Sequence, residues 1–498
     1  MTSPASSDLN LLDRGRRAGK GAGERETDPP LELRRELGGW GTAALVVGVM
    51  IGTGIYLKPS EMAREAGSVE LVFLAWVAGA VLALLGSLTY AELAAAIPET
   101  GGSYAYLRRA FGPVWGFLYG WRGIMVSTPA SLAAYGAGIA LFLGFLWPGV
   151  TGPVAAWDIG IPFRDGSYHV ELRWSQVLGA LLIVGFAVVN YLRVRHVGRL
   201  QIALTVIKTG ALVAVIGIGL WFILTKSGSV GTTGSGDPPA IRAPSLGGFM
   251  AAVTAALWAY SGWHQVVRLG GEVRNPARTL PRAMIGGFLF TATLFIGVNF
   301  CYFGVLSFEG VASSRHVASD MLLPAVGPGV AGFLTIAMIV SVLGTMNATI
   351  LSSSRVPYAM ARDGIFFSVL AKVHPERRVP SAAVTLMAVM GIALVLTGTF
   401  EDLTALMIFS SWTFHGLGAL ALFRLRRLEP DLPRPYRAWG YPLVPGLFGL
   451  LSVILSVSIF LQRPVRSGIG LGVILLGIPV YRVWSRRREA PRETADHL

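Results

Sequence analysis

Two runs of small residues interrupt long apolar stretches: Gly52-Thr53-Gly54, and Ser261-Gly262 with Tyr260 and Trp263 on either side. Glycine lowers helix propensity by about 1 kcal/mol and accepts the dihedral angles of an unwound turn. A helix broken at membrane depth frees N–H and C=O groups that hydrocarbon cannot satisfy, so it persists only where it lines a polar cavity. The amides after the first break would point from the positive end of a half-helix, which favours a carboxylate. The carbonyls of Met50 and Ile51, at the negative end before it, favour an ammonium group. An amino acid carries both. For this motif alone, a close Gly-x-Gly contact between helices is the competing reading. At the second break, Trp258, Tyr260 and Trp263 suit a gate over a small molecule, or ordinary packing. Thr53 and Tyr260 lie about 207 residues apart, and such paired interruptions in corresponding halves point to the binding site of a secondary transporter.

Lys208 lies near the middle of the apolar run QIALTVIKTGALVAVIGIG, where a cation costs at least about 2.5–3.5 kcal/mol. It either snorkels to an interface about 10 Å away or is held by buried oxygens. Arg268, Glu272, Arg274 and Arg282 surround the end of the sixth apolar run, and Arg355 and Asp363 the end of the eighth. Opposite charges at such a mouth form either an inner gate or interfacial anchors. Arg122 is a further intramembrane charge with no assigned role, and Asn347 is likewise unassigned. Glu92 is expected to pair with a loop cation, His264 to bond backbone freed by the second break, and Trp412 to pack.

The elements that carry these residues are apolar helices. Of the 498 residues 53% are apolar and 14% charged, with a mean hydropathy of +0.58, against about 25% charged in soluble domains. Runs near the ~20 residues that cross a bilayer predict twelve spans: 40–64, 70–97, 114–147, 174–193, 200–224, 246–272, 283–307, 328–360, 381–399, 402–424, 441–461 and 467–485. The fold class is therefore an all-α integral membrane protein with spans 1 and 6 broken. Residues 1–38 and 486–498 read as disordered tails, 39–224 and 246–424 as two five-span repeats, 225–245 as a flexible outer loop, and 425–485 as two accessory spans.

The net charge of +14 raises the question of nucleic acid, and its distribution answers it. With a cytoplasmic N-terminus, 29 of the 42 Lys and Arg residues lie on inner segments, nine on outer ones and four within spans. That is the positive-inside pattern, so both termini face the cytoplasm and no nucleic-acid partner is expected. A single cysteine, Cys301, precludes an internal disulfide. The seven histidines show no metal-ligand spacing, no cofactor is expected, and no G-x-x-x-x-G-K-[ST] sequence provides an ATPase site. A membrane enzyme would need a nucleophile–base pair or metal cluster within the spans, and none is apparent. The tails are too short to suggest a signalling sensor.

Several stretches carry a resemblance. VVGVMIGTGIYLKP (Val46–Pro59), YAELAAAIPETGGSYAYL (Tyr90–Leu107), AYSGWHQVVRLGGEVRNPARTLPRA (Ala259–Ala283), SSSRVPYAMARDGIFF (Ser352–Phe367) and RPYRAWGYPLVP (Arg434–Pro445) are similar to motifs of the amino acid–polyamine–organocation superfamily. The closest likeness is to its L-type amino acid transporter branch in bacterial form, over residues 36–485. That resemblance implies a LeuT-type five-plus-five inverted repeat in a bacterial cytoplasmic membrane. By position it puts the substrate α-carboxylate on Thr53, Gly54 and Ile55, and the α-amino group on Met50 or Ile51 and on Ala259. Trp258 takes the place of a gating aromatic, and Ser261 stands where relatives have Gly or Asp. Lys208 would fill the sodium site of sodium-coupled relatives, with span 1 carbonyls and Ser353 or Ser354 as partners, which argues against sodium coupling. Arg268, Glu272 and Arg355 would form the inner gate. The expected activity is transport of neutral amino acids, by exchange in preference to proton symport. Residues 148–173 lack the cysteine that would link a heavy subunit.

Overall fold

The computed structural model describes residues 33–160, 167–225, 241–396 and 400–489. The first apolar stretch forms α1 (Gly39–Met50) and α2 (Thr53–Ala66). Between them Ile51 (φ −76°, ψ 88°) and Gly52 (φ −134°, ψ −149°) leave helical geometry. Helix α1 is apolar and buried on nearly every side, as a helix without an amphipathic stripe must be. Gly67, at φ 77°, ends α2, and the Ser68 hydroxyl caps α3 (Val69–Ala96) by accepting from the Leu71 N–H at 3.3 Å.

Helices α4 (Ser103–Phe111) and α5 (Pro113–Arg122) meet at Gly112, whose φ of 97° suits glycine. A π-helical turn over Gly123–Ser127 then joins α5 to α6 (Thr128–Leu146). After α6 the chain departs from the all-helical expectation. Strands β1 (Pro153–Gly160) and β2 (Ser167–Arg173) form an antiparallel hairpin, consistent with the period-two alternation of Tyr168, Val170 and Leu172.

Helices α7 (Trp174–Val189) and α8 (Val194–Thr225) follow, then α9 (Leu246–Ala259), capped by Ser245. The expected span 246–272 is only half helical. Past Ala259 the chain runs through a turn and two 3-10 segments, Gln265–Arg268 and Gly270–Glu272. Gly262 sits at φ 107°, and Gly270 and Gly271 weaken any helix that would resume.

The remainder comprises α10 (Pro276–Val305), α11 (Phe308–Ser313), α12 (Val317–Ser353, bent at Gly327), α13 (Arg355–Arg362), α14 (Ser381–Val395), α15 (Phe400–Leu428), α16 (Leu443–Gln462) and α17 (Pro464–Glu489). Among the described residues, eight helical segments are long and apolar enough to cross a membrane. At the fourth, sixth and ninth expected positions lie the shorter apolar helices α7, α9 and α14, and the 29-residue α15 holds the tenth. Helix α1 packs on α8, α10 and α12, while α2 packs on α9.

The expected tails and outer loop lie mostly outside the described residues, at 1–32, 226–240 and 490–498. Residues at the described ends make contacts with the rest of the protein. Leu37 is buried, its N–H donates to the Glu272 carbonyl at 3.0 Å, and its carbonyl accepts from the Arg274 N–H at 2.8 Å. Arg242 pairs with Glu65 at 2.7 Å.

Candidate functional site

The two breaks cross at two glycines. A Cβ on Gly54 would lie 2.5 Å from Ala259 Cα, and one on Gly262 would lie 2.3 Å from Val49 Cγ1. Each glycine is the point at which the other segment's chain approaches. For Gly54, then, close helix contact is what the geometry displays. Thr53, Gly54 and Ile55 open α2 without a side-chain cap, so their amides form the uncapped positive end anticipated from the sequence.

Trp258 bridges the site: its Nε1–H donates to Thr53 Oγ1 at 3.2 Å, and its ring lies 5.9 Å from that of Tyr135. The Ser261 hydroxyl turns back on its own segment. It donates to the Trp258 carbonyl at 2.7 Å and satisfies a group the break has freed. Met50, Ile51, Thr53, Gly54, Ile55, Trp258 and Ala259 are all buried.

Lys208 is fully buried, and the snorkelling alternative fails. Its Nζ donates to the Gly48 carbonyl at 2.7 Å, the Ile51 carbonyl at 2.9 Å and Thr345 Oγ1 at 3.0 Å. The span 1 carbonyls match expectation, and the hydroxyl does not. Ser353 and Ser354 donate to carbonyls of their own helix, Ile350 and Leu351. They lie eight and nine residues beyond Thr345, about 12 Å along a helix, which puts them out of reach. Ile51 presents a further departure: its carbonyl also accepts from Ser341 and Thr345 at 3.1 and 2.9 Å. The Ile51 carbonyl is therefore engaged by three donors, from Lys208, Ser341 and Thr345. Sequence reasoning missed Ser341 and Thr345. The signal was a stripe of hydroxyls four residues apart, Ser341, Thr345, Thr349 and Ser353, on one face of α12.

A second buried polar chain runs beside Lys208. Asn190 Nδ2 donates to Asn347 Oδ1 at 3.0 Å, Asn347 Nδ2 to Gln201 Oε1 at 2.9 Å, and Thr205 Oγ1 to the Ala44 carbonyl at 3.0 Å. It connects α7, α12, α8 and α1, and gives Asn347 a role the sequence did not suggest.

At the end of the molecule where α1 starts, Arg355 clamps Glu272 through Nε–Oε1 at 2.8 Å and Nη2–Oε2 at 3.0 Å, both side chains fully buried. Outside this pair, Asp363 accepts from Tyr104 Oη at 2.6 Å and from Arg108. Burial, and then Asp363 beside it, push the Tyr104 phenol above its ordinary range. Arg268, expected in this group, forms no ion pair among the described residues. Its carbonyl accepts from the Gly101 N–H at 2.9 Å. His264 does not bond freed backbone through Nδ1; its ring lies 4.4 Å from that of His415. Glu92 takes Arg426 at 2.8 and 2.6 Å, and Trp412 packs on His415 and Phe448.

Broken helices crossing at glycines, with freed carbonyls held by a buried ammonium, define a helical membrane protein whose two interruptions meet in its interior. Residues 37–481 match the amino acid permease family model, so the chain belongs to that family, within the amino acid–polyamine–organocation superfamily. The serine/threonine exchanger SteT of Bacillus subtilis (strain 168) is 30% identical over 466 residues, covering 92% of this chain and 98% of that protein. The Asc-type amino acid transporter 1 of Mus musculus is 29% identical, covering 92% and 83%. The human cystine/glutamate transporter is 27% identical, covering 92% and 88%.

Proposed function

We propose that this permease exchanges amino acids across a bacterial cytoplasmic membrane by alternating access, without sodium or ATP. In this reading twelve helices cross the bilayer as a LeuT-type inverted repeat with two accessory spans, and both termini are cytoplasmic. The observation that carries it is the Lys208 ammonium, held by the Gly48 and Ile51 carbonyls at the first break. A tethered cation there takes the place of a bound sodium ion. The exchanger named among the relatives supports exchange over net uptake. No heavy subunit is linked by disulfide, since Cys301 is buried in α10.

The substrate's α-carboxylate would meet the Thr53, Gly54 and Ile55 amides, and its ammonium the Met50 and Ala259 carbonyls. Neutral amino acids fit first, and among the described residues a cationic side chain would find no carboxylate beside either break. Trp258 on Thr53 closes one side and Arg355 on Glu272 the other. Complete burial of Lys208 favours one second reading, proton symport through that amine.

Purified protein in liposomes tests both with radiolabelled serine. Uptake that needs internal amino acid and ignores proton and sodium gradients is the expected outcome. Uptake into empty vesicles driven by a proton gradient would establish symport instead.

A further inference from the structure

Four buried acidic or basic side chains of the interior are committed to one another or to a neighbour: Glu272 to Arg355, Glu92 to Arg426, and Lys58 to Glu61. Lys208 is held by oxygens. That leaves two buried guanidiniums, Arg122 and Arg268, and neither pairs with a carboxylate among the described residues. They share one neighbourhood. Tyr119 lies within electrostatic reach of both, and each lies within reach of the other. Burying one unpaired charge in a low-dielectric interior is costly, and burying two of like sign side by side is more so.

The surroundings offset this only in part. Arg122 sits over the rings of Tyr119 and Phe414, at 4.9 and 5.2 Å, and its Nη1 donates to Ser411 Oγ at 3.0 Å. The Nε atoms of both arginines have no acceptor, and neither do the Nδ1 atoms of His264 and His415. Four buried nitrogens without partners therefore belong to one electrostatic neighbourhood, with the rings of His264 and His415 4.4 Å apart within it. The π-helical turn Gly123–Ser127 begins directly after Arg122, and such turns inside α-helices are frequent at functional sites.

We propose that Arg122 and Arg268 form a binding site for a small monovalent anion, on the path between the broken segments and the Glu272–Arg355 pair. Position argues for a ligand in transit or a ligand that locks the mouth. Arg268 lies between the second break and Glu272 in the chain, and its charge reaches Tyr135, which packs on Trp258. The chemistry recognised is a carboxylate or a halide. The first source is the side-chain carboxylate of an acidic amino acid, which would extend the neutral substrates proposed above to anionic ones. The second is free chloride. The substrate source rests on the exchange reading; the site itself does not.

The experiment is thermal unfolding of the purified protein in HEPES–Tris buffer free of halide and carboxylate, titrated separately with glutamate, serine and chloride, on wild type, Arg122→Gln, Arg268→Gln and Arg268→Lys. The expected result is that glutamate or chloride raises the wild-type Tm well beyond serine. Each Gln variant weakens the half-saturating concentration at least tenfold, and Arg268→Lys retains part of the response. In the buffer alone the Gln variants should unfold at or above the wild-type temperature, because an uncompensated charge has gone. A glutamate response without chloride identifies the substrate source, and a chloride response identifies the free anion. Absence of any anion-specific shift in wild type overturns the site, as do Gln variants that respond like wild type. Serine counterflow in liposomes is read separately, so failure of the exchange reading leaves this result standing or falling by itself.

Discussion

The two breaks are built on opposite principles. At the first, α2 resumes within two residues of Met50, and the Ile51 carbonyl is bound by Lys208, Ser341 and Thr345. All three donors come from neighbouring helices, so this break is pinned to the scaffold formed by α8 and α12. At the second, the helix does not resume, and Trp258's carbonyl is satisfied by Ser261 three residues on. The segment's side-chain tie to α12 is the Ser352–Gln265 bond, at 2.8 Å. A break satisfied from outside is fixed in place; a break satisfied from within can move as a unit. On the proposed function, the contrast suits the first break to holding substrate and the second, with Glu272 at its end, to opening and closing.

The comparison can be attacked at its joints. Gly262→Val should have the largest effect, because it combines a backbone at φ 107° with a Cβ 2.3 Å from Val49. Strain of this kind costs about 1–3 kcal/mol before any overlap is counted, and loss of folded protein on size exclusion is expected. Normal folding would show that the two segments separate easily. Next is Arg355→Met, which strands Glu272 and should cost about 3–5 kcal/mol, seen as a lower Tm and faster labelling of a cysteine introduced near the mouth. The double variant with Glu272→Met should recover most of that stability.

Lys208→Met removes a charged donor worth about 1.5–3 kcal/mol. Roughly tenfold slower exchange is expected, with the secondary structure by circular dichroism retained. Ser261→Ala should cost only about 1 kcal/mol, and a larger effect on exchange would mean its hydroxyl also meets substrate. The smallest effect sets the scale. Arg109 donates to Glu429 through exposed contacts of 2.7 and 2.5 Å, and that bond holds the carboxyl below its usual range. Its stabilisation is present above the unfolded carboxylate pKa and disappears as pH falls through the lower folded value. For so exposed a pair it amounts to about 0.2–1 kcal/mol, so Arg109→Ala should differ from wild type at neutral pH and converge with it in acid.

The sequence carried the breaks because glycine acts locally: Gly52 and Gly262 unwind their own chain wherever the rest lies. It carried Lys208 because no apolar span tolerates an unheld cation. What it lacked was the vertical register between helices. Choosing Thr345 over Ser353 depends on how far α12 slides along α8, and that follows from packing across the whole interface. The same ignorance placed Arg268 beside Glu272, four residues on, when the 3-10 turns direct it toward α5. The hairpin of β1 and β2 escaped notice because a polar connection between spans reads as loop until both strands are paired.

Lys208 has one further consequence. A bound metal ion occupies its site only as far as the surrounding solution supplies it, and its departure is part of each cycle. An amine on a side chain is tethered in its site in fresh water and in brine alike. On the proposed reading exchange is thereby independent of external sodium, and the protein has no cation gradient to harness as a driving force. Net movement of any one amino acid is then set by the composition of the pools on the two sides, so the membrane protein redistributes those pools without concentrating their sum.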